Sequence, residues 1–151
     1  MAINTDAAST LNNLIETCRD GQEGFQTAAE NVKDPALRAE LLQYSDQRRQ
    51  FASDLRDALT AAGEKVSDHP SVSGTIHRGW INLKQALSSN DNKAVLSECE
   101  RGEDYAVDAY RKARQANLPA PFDEIVEHEF ADVQRVHDRV KSLRDQWKAM
   151  D

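Results

Sequence analysis

Only two of the 151 residues are cysteine, Cys18 and Cys99, too few for a disulfide scaffold. Proline and glycine are scarce as well, at four and six residues, so little punctuates the chain. No apolar run approaches the ~20 residues needed to cross a bilayer. Met1 to Thr10 contains neither lysine nor arginine, so the sequence predicts no export signal and no basic arm. A formal net charge of −7, with 30% of residues charged, disfavours direct binding to nucleic acid or to an anionic membrane surface. The expectation is a soluble cytoplasmic protein with reduced cysteines. Its length fits a single domain able to bury a core without staples.

What the chain does contain is a helical period along most of its length. Leu11, Leu14, Ile15, Cys18, Gln22, Phe25, Ala29 and Val32 recur at spacings of three and four, one face of an amphipathic helix. Asp34-Pro35 supplies an N-cap and a proline at the first helical position. Leu37, Leu41, Tyr44, Arg48, Phe51, Leu55 and Leu59 then continue the spacing until Gly63. Val95, Cys99, Glu103, Ala106, Tyr110 and Ala113 form a third stripe that ends before Pro119. Pro121 opens a fourth, with Asp123 and Glu124 in its first turn and Val126, Phe130, Val133, His137 and Val140 leading to Trp147. The predicted long helices are 7–32, 35–62, 91–117 and 121–148. Val72, Ile76, Trp80, Leu83 and Leu87 add a shorter one over 72–88.

Each long stripe carries one polar interruption: Gln22, Arg48, Glu103 and His137. Cys18 and Gly21 are also echoed in register by Cys99 and Gly102, which suggests a doubled helical hairpin. Helices of about 25 residues span some 38 Å, so the 27 residues from Glu64 to Asn90 can run the length of the bundle. Short outer loops around one long connection predict an all-α, ferritin-like four-helix bundle of two antiparallel hairpins, spanning residues 1–151 as a single domain.

The run from Glu23 to Ser45 resembles the first hairpin of rubrerythrin-type ferritin-like proteins, and Gly102 to Tyr110 resembles their third helix. With His77 to Lys84 and Glu98 to Asp104 included, the chain resembles a bacterial family of small ferritin-like bundles known as domain-of-unknown-function family 2383. The likeness covers nearly the full length. It implies the fold and a bacterial origin, and no established activity comes with it.

Di-metal bundles of this type take a Glu from each of two helices and a Glu-x-x-His pair from each of the other two. Carried over residue by residue, the first Glu falls on Gln22, and the first Glu-x-x-His pair falls on Arg48 and Phe51. The third helix keeps Glu103, and the last pair reads Gln134 and His137. A guanidinium stays protonated and repels a divalent cation placed a few ångströms away. The resemblance therefore predicts a degenerate site with no metal and no cofactor. In its place it predicts a polar core in which Arg48 neutralises Glu103 while Gln22, Gln134 and His137 complete the hydrogen bonding.

The remaining polar residues have plainer readings. Cys18 and Cys99 could form a redox pair but read better as small buried side chains. His77 and Trp80, one turn apart, could line a groove, though Trp80 lies on the apolar stripe. His128, between Glu127 and Glu129, reads as a solvated face because adjacent helical residues diverge. His69-Pro70 reads as loop. No phosphate loop, Ser-His-Asp set or CxxC spacing is present. The leading expectation is a non-enzymatic structural or interaction protein with a role in stress physiology and a homo-oligomer or a protein as its partner. The alternative is a metal-binding or oxidoreductase protein in which Glu103 and His137, helped by Glu100 or Glu129, hold iron, manganese or zinc. Protection of DNA ranks third, against the acidic balance.

Overall fold

The structure, a computed structural model, describes residues 3–66, 79–88 and 91–150, with 148–150 as backbone only. Its elements are α1 (Thr5–Asn31), α2 (Pro35–Ala61), a short α3 (Leu83–Ser88), α4 (Asn92–Arg114) and α5 (Phe122–Met150). No strand occurs among the described residues. No helix among them is long and apolar enough to cross a membrane.

Local chemistry sets the helix ends. The Asn4 side chain accepts from the Ala7 amide at 2.7 Å, and that of Asp34 accepts from the Leu37 amide at 2.8 Å, each satisfying an amide that the first turn leaves unpaired. Gly63 closes α2 at φ +77°, a left-handed conformation that glycine adopts without strain. Asp91 caps α4, which ends three residues before the predicted 117. Asn117 adopts φ +54°, which a right-handed helix cannot include.

The core divides along the bundle axis. One half joins the start of α1 (Leu11, Leu14) to the ends of α2 (Leu55, Leu59) and α4 (Tyr110, Ala113) and to the start of α5 (Phe122, Val126). The other joins the end of α1 (Phe25, Ala29) to the starts of α2 (Leu37, Leu41) and α4 (Val95, Leu96) and to the end of α5 (Val140, Leu143). Helices α1 and α5 therefore run one way, and α2 and α4 the other. α1 packs against α2 and α4, and α5 packs against α4 and more lightly against α2, which leaves α1–α5 and α2–α4 as the diagonals. The connection from α2 to α4 must then travel from one end of the bundle to the other.

The predicted helix over 72–88 is corrected in its described part, while residues 72–78 lie outside the described residues. Gly79 sits at φ +97°, and the helix begins only at Leu83. Trp80 instead drops between α1 and α4 and is 2% exposed. A Cβ on Gly24 would lie 2.4 Å from the indole, and one on Gly102 would lie 2.2 Å from it. Glycine inside a helix costs ~1 kcal/mol relative to alanine. At these two positions it is the only residue that leaves room for the tryptophan.

Candidate functional site

Arg48 heads the fully buried side chains by volume. Its Nη1 and Nη2 donate to the two carboxylate oxygens of Glu103 at 2.5 and 2.7 Å, a fork-on-fork geometry that combines charge with direction. The pair crosses the α2–α4 diagonal, with its side chains 1% and 0% exposed. Phe25 lies beneath the guanidinium at 5.6 Å and meets Trp80 edge-on at 5.0 Å. Gly21 makes room on the α1 side, since its Cβ would sit 3.4 Å from Arg48 Cγ.

Beside this pair runs a chain of hydrogen bonds. Tyr110 Oη donates to Glu129 Oε1 at 2.8 Å, and Cys18 Sγ lies 3.0 Å from the same hydroxyl. Either atom can be the donor in that contact. Burial raises the Glu129 carboxyl to about 8, against the opposing hydrogen bond from Tyr110 and the nearby charge of Arg48. Glu129 therefore keeps its proton far above the usual carboxylate range. Burial, reinforced by the charge of Glu129, pushes the Cys18 thiol up to about 12. Cys99 is likewise raised by burial, with Glu103 and Glu98 adding to it. Both cysteines are free and buried, and they lie in opposite halves of the core, so they form no pair.

The predicted convergence of Gln22, Arg48, Glu103, Gln134 and His137 is corrected. Arg48 and Glu103 meet as expected, and Phe51 packs in the core at 7% exposure. Gln22 is half-buried, and its backbone carbonyl accepts from Ser45 Oγ at 2.8 Å. His137 lies at the α4–α5 surface, with Nε2 2.6 Å from Asp104 and Nδ1 3.1 Å from Asp138. Burial alone would lower its pKa, but the hydrogen bonds to Asp138 and Asp104 prevail and hold it above 6.5. Gln134 donates to Asp138 at 3.1 Å. Glu100, the other helper considered for a metal, pairs with Arg144.

Glu129, considered from the sequence only as a helper for a metal, is the inward polar residue of α5. The buried face of α5 is Phe122, Val126, Glu129, Val133, Val136, Val140 and Leu143; it keeps Val126, Val133 and Val140 of the stripe read from sequence and puts Glu129 and Val136 in place of Phe130 and His137. This alternating spacing of four and three was legible, with Glu129 as its sole polar member, but His137 was read as the interruption instead. Among the described residues no group of three His, Cys, Asp or Glu side chains is placed to hold a metal ion. His128 is exposed, as expected of a solvated face.

Outside the core, an open groove of about 590 Å³ between α4 and α5 is lined by residues that include Arg101, Asp104, Tyr105, Arg111, Gln134 and His137.

A family model described as a domain of unknown function (DUF2383) matches residues 6–116. The chain belongs to that family. The DUF2383 match spans α1 to α4 and so includes Cys18, Arg48, Glu103 and Tyr110, while Glu129 and His137 on α5 lie beyond it. No curated protein matches the chain.

Proposed function

We propose that this DUF2383 protein is a ferritin-like bundle in which an ion pair and a hydrogen-bonded chain occupy the place of a di-metal centre. In this reading it is a non-enzymatic structural or interaction protein, cytoplasmic and bacterial, with a role in stress physiology. The helix directions support the arrangement, because one long connection between two hairpins requires α2 and α4 to run in parallel. The observation that carries the metal-free reading is the bidentate contact of Arg48 with Glu103. Both carboxylate oxygens that would face a cation are taken by a permanent positive charge. The oxidoreductase alternative needs Glu103 and His137 to share an ion, yet one is enclosed with Arg48 and the other bonds Asp104 and Asp138 at the surface.

Elemental analysis of protein purified without added metal tests the reading. Iron, manganese and zinc far below one per chain are expected. Near-stoichiometric metal that disappears in His137→Ala would overturn it.

A further inference from the structure

We propose that the outer face of α4 is the interface of a twofold dimer of this chain; this names a partner for the interaction role proposed above and rests on that reading. The solvent stripe of α4 runs Arg101, Asp104, Tyr105, Asp108, Arg111 and Lys112. At its centre Tyr105 is 40% exposed. The tyrosine is held at its base, since a Cβ on Gly79 would come within 2.8 Å of the Tyr105 Cβ. From Gly79 the chain runs back along α4 until the Asn82 amide meets Glu98 Oε1 at 3.4 Å, and this stretch carries Ile81, 69% exposed. Exposed large apolar side chains are few among the described residues, being Leu42, Ile81 and Tyr105, and two of the three belong to this strap and the helix beneath it.

The charges select the partner and the register. An isologous contact sets α4 antiparallel to its own copy, so that each pairing occurs twice. Centring the axis on Ala106 would place Arg101 against Arg111 of the second copy and Asp104 against its Asp108, like against like. Sliding the copies by one helical turn places Arg101 against Asp108 of the second copy, and Asp108 against its Arg101, with Tyr105 next to the axis. Arg101 is available for this contact, having no ion-pair partner among the described residues. Among the described residues Asp108 is held only by long contacts of 3.6 Å to Arg111 and Lys112 on its own helix, which at exposed positions are worth little. The stripe holds three cations against two carboxylates, and His137 already attends to Asp104. The face thus escapes the net repulsion that a charge of −7 imposes on self-association. The α4–α5 groove beside it gives the second copy's Tyr105 room to seat. With two apolar side chains per copy the dimer is weak and concentration-dependent.

Sedimentation equilibrium of the full chain, from low to several hundred micromolar, tests the assignment. A monomer–dimer equilibrium is expected for the parent protein. Arg101→Asp and Asp108→Arg should each raise the dissociation constant about tenfold or more. The doubly exchanged variant, Arg101→Asp with Asp108→Arg, should return to within a few-fold of the parent, which a fold damaged by either change could not do. A parent that stays monomeric throughout, or an exchanged variant as weak as the single ones, overturns the dimer. Neither result touches the metal-free reading, which elemental analysis decides separately.

Discussion

The Arg48 guanidinium grips both carboxylate oxygens of Glu103 across the α2–α4 diagonal, where the two backbones themselves do not meet. Two long side chains thus bridge helices whose backbones do not touch. Such a pair loses much of its Coulombic gain to desolvation.

Removing one partner should therefore be far worse than removing both. Glu103→Ala strands a buried guanidinium and is expected to cost roughly 3 to 5 kcal/mol in denaturant unfolding. The double replacement Arg48→Met with Glu103→Leu should recover most of that loss, since apolar residues of similar volume often substitute for a buried pair at no net cost. A Glu103→Ala protein within about 0.5 kcal/mol of the parent, as at an ordinary surface position, would show that the pair is not enclosed.

Glu129 predicts an inverted pH dependence. Its carboxyl is raised by burial from 4.5 to about 8 in the folded state, so between those values the folded chain holds a proton that the unfolded chain has lost. Its contribution is fully present below pH 4.5 and is lost as pH rises through about 8, at up to about 1.4 kcal/mol per pH unit within that window. Glu129→Gln imitates the protonated acid. Urea unfolding at pH 5 and pH 9 should show the stability of this variant rising relative to the parent at the higher pH; an unchanged difference would place the titration elsewhere.

The glycines next to Trp80 and Arg48 should respond in opposite ways to the same substitution. Gly102→Ala puts a Cβ 2.2 Å from the indole and should lower the thermal midpoint and expose Trp80, despite the ~1 kcal/mol that alanine contributes to helix propensity. Gly21→Ala brings only a 3.4 Å contact with Arg48 Cγ and should be neutral or stabilising. Melting curves followed by tryptophan fluorescence separate the two. Equal losses at both positions would deny the indole slot.

Neither cysteine should react while the chain is folded. Burial holds both thiols well above 9, so the thiolate needed for alkylation is scarce and shielded. Iodoacetamide should label Cys18 and Cys99 only at the rate of unfolding. Fast labelling of either in native buffer would contradict the buried core.

The four long helices were legible in the sequence because spacings of three and four, a capping Asp34-Pro35 and a left-handed Gly63 act within a few residues of chain. The encounter of Arg48 with Glu103 was also foreseeable, since opposite charges each interrupt an otherwise apolar stripe. Two inward positions of α5 were not. Phe130 and His137 flank the buried line closely enough to mimic it, each one residue, about 100° around the helix, from Glu129 and Val136, which face inward instead. The reason for Gly24 and Gly102 was hidden as well, because the indole that fills their space arrives from a distant stretch of chain.

By itself, then, the sequence determined the all-helical character, the cap and stop positions and the presence of charge inside the core, all of which follow from local periodicity and backbone preference. Only the tertiary structure decided that Glu129 faces inward with its carboxyl raised by burial, that His137 stays at the surface between Asp104 and Asp138, and that Trp80 locks α1 to α4. Those outcomes depend on helix rotation and on groups brought together from far apart in the chain, and burial acts on a carboxyl or an indole only once the neighbours that exclude water are in place.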